Sequence, residues 1–597
     1  METAAPRRRV EAAAFGILPD TGEDLTAKLQ ALLDANREDV ELILAPGRYD
    51  FYPGSAQKRP FSMSNSDEDG ERRISLLLED MHRLTIDGRG AELVFHGQLT
   101  PLALYRCREV LIRGVSVDFA IPLSAEGTVI RACETFADLA IDAELFPHSV
   151  SQGKLLFQGE DWEEPVWQSG HMEFDPEHDT VAYGRGDRFP ATWQEQLPGG
   201  AVRFWGDFSA GMPKVGNVVV LRHSRRIHCG IFVNECEDVA MEDVSLHAAG
   251  GLGILCQFSE NLRFTRAAIV PNRKKGRRFV CGHDDGIHLS NNRGEVIIED
   301  CRFLGLMDDP VNLHGTSARI ETVEERRAII GRFVHPQSKG FPRWAEPGQK
   351  ISFVRSTSLE CEGQGVVKDY RLLTEETFAL TLEEPVPSDV EPGDAMENDS
   401  NTASLLCRRN HFGGCRARGL LVCTPKPVLV EENRFDSSGA AILIAGDAGD
   451  WYECGGCRDV TIRGNTFSEA CLTSEYEGGD AVISVHPNLT RPLREAPYHR
   501  GIRVEDNVFY TAGDPVLYAK AASGITFRGN RILPGRGRPP RKSGDILFSF
   551  DHCTDVTLEG NEISLAGGSI SLTSMTEQDI HQEDALPLEM DKKEKET

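Results

Sequence analysis

The sequence predicts an all-β chain, a right-handed parallel β-helix with two small β-barrel insertions. Three observations carry this expectation: a strand motif that returns along most of the chain, a spacing of 23 residues between some of its copies, and two long stretches where the motif stops. The motif reads β-branched or apolar, x, apolar, x, Gly/Asp/Glu, Asn or small, x, apolar. It occurs at Val110–Val117, Val239–Leu246, Val296–Phe303, Val428–Phe435, Val460–Phe467, Ile502–Phe509, Ile525–Ile532 and Val556–Ile563. Asn507 and Asn530 lie 23 apart, as do Val244 and Ala267. A single coil of this length cannot bury its inward side chains, so neighbouring coils must stack. A β-sandwich uses similar strands but has no reason to hold the motif in phase. Asn433, Asn465, Asn507, Asn530 and Asn561 share one phase, which suits a turn where Asn tolerates a left-handed backbone.

Each remaining element follows in order. Leu25–Ala35 reads as an amphipathic helix after a Thr/Gly/Asp turn, and Glu41–Phe51 as strand, Pro-Gly turn, strand. A helix over the first coil covers the edge that a β-helix otherwise exposes. The motif is absent over 125–222, which holds four of the six tryptophans, and again over 318–400. Both stretches show the alternation and Pro/Gly punctuation of small antiparallel barrels. The expected organisation is a cap and first coils over 1–124, a barrel over 125–222, coils bearing acids over 223–317, a second barrel over 318–400, C-terminal coils over 401–572 and a charged, disordered tail over 573–597.

Composition narrows the partners. The 597 residues carry a net charge of −28, which repels phosphate backbones and anionic membranes; no nucleic acid and no membrane partner is expected, and a neutral sugar is compatible. No window approaches the roughly 20 apolar residues of a membrane span. The N-terminal residues show no secretory signal, so the sequence as it stands reads as cytoplasmic, or as secreted if a leader has been removed. Fifteen cysteines, an odd number, read as reduced core thiols.

Two segments put polar residues where a coil should be bland: CGHDDGIHLSN at Cys281–Asn291 and GLMDDPVNLHG at Gly305–Gly315. Asp285 lies 23 residues before Asp308 and 24 before Asp309, which is one coil. These carboxylates should therefore stack about 4.8 Å apart. Acids so close repel one another and raise at least one pKa, supplying the protonated acid and ionised base that glycoside hydrolysis needs. Asp284 is the weaker candidate, since it can face the opposite side of the strand. Calcium is the competing use of stacked carboxylates. His288, Asn312 and His314 lie in the same segments and are candidates for binding sugar hydroxyls. Arg416 and Arg418 alternate in RARG and share a strand face, with surface salt bridging as the plainer use. Trp451 and Glu475 sit in loops that can overhang the same cleft. Cys454 and Cys457 form a CxxC without the second CxxC of a structural zinc site, so they read as a turn with two thiols and no metal ligand is assigned.

The strings MDDPVNLHGT at Met307–Thr316, DGIHLS at Asp285–Ser290 and RARGLLV at Arg416–Val422 resemble the α-1,3-galactosidases of glycoside hydrolase family 110, and the resemblance extends over nearly the whole chain. It implies a β-helix with two β-barrel insertions and inverting hydrolysis of terminal α-1,3-linked galactose, as in blood group B or linear Gal-α1,3-Gal ends, without a cofactor. An α-galactosyl oligosaccharide is then the substrate, and a homodimer is compatible. Carried over residue by residue, the acids are Asp285, Asp308 and Asp309, with Asp308 protonating the departing oxygen and the other two holding and deprotonating water. A polygalacturonase-like hydrolase is the nearest rival, but its Gly-His-Gly and Arg-x-Lys are not found in the expected place. A calcium-dependent lyase and a non-catalytic carbohydrate-binding β-helix, such as an adhesin or tail-spike, complete the alternatives.

Overall fold

The computed structural model describes residues 7–67, 70–167, 170–277, 279–476, 479–542, 545–584 and 586–590. Its spine is a parallel β-helix. A 24-stranded sheet carries the recurring motif, and a second long sheet runs from Gln57–Arg59 to Leu588–Met590. Inward positions build one continuous apolar core from Val10 to Ile580. Five phenylalanines, Phe303, Phe412, Phe435, Phe467 and Phe509, stack along it with centroids 4.6–5.2 Å apart. The helix Thr26–Asp34 begins where the Asp24 carboxylate accepts the Thr26 N–H. It drives Leu29, Leu32 and Leu33 into the first coil and so covers that end.

The asparagines of the repeat do a different job from the one their spacing suggests. None of Asn433, Asn465, Asn507, Asn530 and Asn561 has a positive φ. The left-handed residue is the one before: Glu432, Gly464, Asp506, Gly529 and Gly560 have φ of 55, 62, 55, 64 and 63°. From Asn410 to Asn530 each side-chain amide instead points inward and donates to the Asn Oδ1 one coil on, at 3.0–3.3 Å, and Asn561 ends the ladder on the Asp584 carboxylate at 2.6 Å. The same oxygen accepts the backbone N–H of the preceding Asn, for example Asn465 N–H to Asn507 at 2.8 Å. A buried turn must satisfy its backbone donors, and a stacked amide ladder does this without water.

The helix is interrupted twice. Arg108–Phe119 pairs directly with Glu237–Glu242, and Thr100–Tyr105 with Ile231–Asn234, so the residues from Ser124 to Arg222 are looped out. They form a seven-stranded antiparallel sheet, bounded in sequence by Ser124–Cys133 and Val218–Arg222, and a three-stranded sheet from His148 to Pro165. Both sheets share one apolar core around Leu139, Phe157, Phe204 and Phe208. The second interruption is a closed six-stranded barrel from Ala318–Glu324 to Ala395–Asn398 around Trp344, Phe353 and Phe378. After it, Val311–Thr316 pairs with Leu420–Val422 as the next coil.

The expected disorder beyond 572 is corrected over residues 573–584 and 586–590; 585 and 591–597 lie outside the described residues. Ile580–Gln582 and Leu588–Met590 add a further parallel rung. Ile580 is buried in the core and Leu586 and Leu588 pack on it, while Thr576 and Asp579 cap reciprocally the turn that leads into Ile580–Gln582. Apolar residues in coil phase outweigh the local charge.

The amide ladder makes a testable demand. Asn507→Ala takes the acceptor from the Asn465 backbone N–H, while the Asn465 side-chain amide keeps the Val430 carbonyl. It should cost about 1–3 kcal/mol in urea unfolding, and loss below about 0.5 kcal/mol would show that the ladder does not support the coil.

Candidate active site

The coil register builds the site. Ile287–Ser290 and Val311–Thr316 are adjacent parallel strands with His288 opposite Asn312 and Ser290 opposite His314. Just before each strand the chain turns, and the Gly286 N–H donates to the Asp309 carbonyl at 2.9 Å. Asp285 therefore stacks on Asp309, at the 24-residue offset, with Asp308 diagonal to it. All three line one cavity of ≈ 370 Å³ together with Asn312, Arg418 and Trp451.

Burial and charge set the electrostatics. Burial, then the neighbouring Asp308 charge, pushes the Asp285 carboxyl well above the usual carboxylate range. Burial also raises Asp309, against the pull of Arg418. Arg418 donates to Asp309 twice, from its backbone N–H at 3.0 Å and from Nη2 at 2.7 Å. Asp308 has the most accessible side chain of the three, 21% against 5% and 1%.

Asp284 points the other way. It is fully buried, with Arg222 Nη2 at 2.6 Å, Arg226 Nε at 3.4 Å and His283 Nδ1 at 2.8 Å. Burial alone would raise its pKa, but Arg226, His283 and Arg222 outweigh it and hold Asp284 well below the usual range. Arg222 ends the exit strand of the first insertion, so this ion pair fastens that insertion to the coil beside the acids.

Four expected sugar-binding residues lie elsewhere. His288 and His314 are behind the acids, each about 1% accessible at the side chain. His288 Nδ1 contacts Asp285 Oδ2 at 2.6 Å, its Nε2 contacts His314 Nε2 at 2.9 Å, and His314 Nδ1 contacts the Gly315 carbonyl at 2.8 Å. Their strands put them in one layer, but their side chains enter the protein rather than the cavity. Arg416 is clamped by Asp187 of the first insertion and the Met307 carbonyl, and reaches only to 3.8 Å from Asp308. Glu475 is turned outward, 3.6 Å from Arg541.

The next residue, Tyr476, takes the place at the cavity, its ring 4.5 Å from the Arg416 guanidinium and 5.1 Å from that of Arg418. Trp451 stacks one face on His335 of the second barrel, with centroids 4.5 Å apart. Its loop is shaped by Asp447, whose carboxylate accepts the N–H groups of Gly449, Asp450 and Tyr452.

Sequence reading missed Glu453, Tyr476, Arg226, Asn65 and Asp447, all of which line the cavity. Glu453 accepts from Asn65 Nδ2 at 2.7 Å and Asn312 Nδ2 at 3.3 Å. Burial raises Glu453, but the His314 and His288 imidazoles and these two amides bring the net direction below the usual value. The one available signal was position: Glu453 adjoins the Cys454–Cys457 pair, and Tyr476 adjoins Glu475. All fifteen cysteines are free, and Cys454 and Cys457 are both buried. His288, His314 and Glu453 also bring two nitrogens and an oxygen within 4.8 Å of one another, a donor set that could hold a divalent ion.

Carboxylates presented from adjacent coils of a parallel β-helix into a sugar-sized cavity define a β-helical glycoside hydrolase. The chain is 35% identical to α-1,3-galactosidase B of Bacteroides thetaiotaomicron, over 97% of this chain and 95% of that protein. It is 33% identical to α-1,3-galactosidase A of Bacteroides fragilis strain YCH46, over 92% and 91%. Models of the GLAA-B β-barrel domains I and II match residues 125–219 and 328–396. The chain belongs to the α-1,3-galactosidases of glycoside hydrolase family 110. A family 28 exopolygalacturonase of Yersinia enterocolitica superposes with a TM-score of 0.39 at 10% identity, covering 98% of this chain and 78% of that one.

The Asp284 cluster yields a stability prediction. Asp284→Asn leaves two arginines buried against a neutral amide, which should cost about 3–5 kcal/mol at pH 7. Because the folded pKa lies below the unfolded one, this contribution is present above about pH 4 and is lost as pH falls through the folded pKa. Urea melts of wild type and variant should therefore converge on acidification; a gap that stays constant from pH 7 to pH 3 would contradict the assignment.

Proposed function

We propose that the chain hydrolyses terminal α-1,3-linked galactose from oligosaccharides or glycoconjugates with inversion at the anomeric carbon. The observation that carries this is the convergence of Asp285, Asp308 and Asp309, from two successive coils, on one cavity. Asp308, the most accessible of the three, is the acid a departing glycosidic oxygen can reach. Its proton goes to that oxygen as the C1–O bond breaks. Asp285 and Asp309 hold a water on the other side; its oxygen bonds C1 and its proton goes to one of them. A carboxyl whose affinity for a proton is raised by burial is the stronger base once ionised. Water replaces the leaving group from the opposite face, so an α-linked galactoside releases β-galactose.

Arg226, Asn65, Asn312 and Arg418 offer donors to the galactose hydroxyls, and Tyr476 and the free face of Trp451 flank the ring. Six acidic side chains against two arginines line the space, which disfavours a uronate and favours a neutral sugar.

The test is turnover of Gal-α1,3-Gal and the group B trisaccharide, with NMR of the first anomer released. Wild type should release β-galactose, and Asp308→Asn should lose about 10²–10⁴-fold in turnover while still binding the sugar. Release of α-galactose would refute inversion. Asp308→Asn turnover within twofold of wild type would remove Asp308 as the acid, and no galactose from either substrate would refute the activity.

A further inference from the structure

We propose that Asp285, His288, His314 and Glu453 form a buried proton relay that holds one transferable proton behind the cavity. The argument is a count of protons along hydrogen bonds. The Gly315 carbonyl can only accept, so His314 Nδ1 carries a proton. The contact between the two Nε2 atoms, at 2.9 Å, takes one more. The contact between His288 Nδ1 and Asp285 Oδ2, at 2.6 Å, takes a third. Two neutral imidazoles supply only two. The third is either the acid proton of Asp285 or the charge of an imidazolium facing an ionised Asp285, and with fewer protons two lone pairs would meet in a dry interior.

The two forms interconvert within existing contacts. A proton leaves Asp285 Oδ2 for His288 Nδ1, while the Nε2 proton of His288 passes to His314 Nε2. No bond to carbon changes and no charge leaves the chain. Burial favours the uncharged form, since it lowers both imidazoles, His288 to about 4, and raises Asp285. Glu453 favours the other, with Oε1 3.6 Å from His314 Nε2. The remaining charges on Asp285 are Asp308, Arg226 and Asp284, while both histidines face Glu453 and His288 also faces Arg226, Asp308 and Asp284.

Asp285 can thus give up its proton inward when it must take one from water, with His288 and His314 acting through it as positioning residues. This role for Asp285 rests on the proposed hydrolysis; the proton count does not.

The same three ligand atoms could bind a transition ion. A tetrahedral ion with metal–nitrogen bonds of about 2.0–2.1 Å would spread the two nitrogens to roughly 3.3 Å. The observed 2.9 Å matches an N–H···N contact.

The experiment is ¹⁵N NMR of histidine-labelled full-length protein, with kinetics of His314→Gln, whose amide can hydrogen-bond but not shuttle a proton. Wild type should show His314 Nδ1 protonated and neither ring titrating between pH 5 and 8. Glu453→Gln should move the shared proton toward Asp285, so that His288 Nδ1 becomes an acceptor. His314→Gln should lower kcat roughly 10–100-fold with KM within about twofold, and turn a curved proton inventory in H₂O/D₂O mixtures linear. A midpoint near the ordinary histidine value, a folded His314→Gln with kcat within twofold of wild type, or one zinc per chain bound to the two imidazoles would each overturn the relay. If His314→Gln does not fold, the wild-type spectrum decides. If no galactoside is cleaved, the spectrum still reads the proton count, so the two proposals fail separately.

Discussion

Carboxylates are out of water here, and everything about the site depends on their being compensated. Asp284, Asp285 and Asp309 are each at most 4% exposed. An isolated buried carboxylate is so unfavourable that the group takes up a proton instead. The structure answers in a different way at each. Asp284 receives Arg222 and Arg226 and stays ionised, Asp309 receives Arg418, and Asp285 receives an imidazole. Three chemically identical side chains on two turns thereby acquire distinct proton affinities. That division of labour is what a two-carboxylate hydrolysis requires, and it comes from their partners rather than from the acids themselves.

The partners are supplied from far along the chain. Arg222 arrives on the exit strand of the first insertion, Arg418 on the coil after the second, and Asn65 reaches Glu453 across 388 residues of sequence. The β-helix supplies register, fixing Asp285 over Asp309 by strand pairing. The insertions and loops supply charge and walls. Neither alone makes a cavity, since bare coils would leave the acids solvated and a barrel without the coils has no stacked carboxylates.

This division explains what could be read in advance. Coil phase is local and periodic, so the acids, the repeat and the boundaries of its interruptions are visible in one sequence. Arg418 was found because RARG sits one coil beyond MDD. Its neighbour Arg416 has the same alternation but meets Asp187, a contact no spacing encodes. His288 and His314 follow their acids at offsets that place them in the right layer, yet whether an imidazole turns to the cavity or the interior depends on side-chain packing. The asparagine phase was visible while its meaning was not, because a left-handed turn and an inward amide ladder leave the same mark one residue apart. Glu453 and Tyr476 come from irregular loops with no period at all.

Arg222 gives the first insertion a significance beyond forming a wall. A folded appendage joined to a solenoid only by its two chain crossings could be deleted, exchanged or grafted as a cassette. Here the final residue of the appendage is one of two guanidinium counter-charges on an aspartate adjoining the reacting acids, so removing it would leave that buried anion to Arg226 and His283 alone. The appendage and the solenoid are therefore joined by a buried ion pair as well as by the two chain crossings.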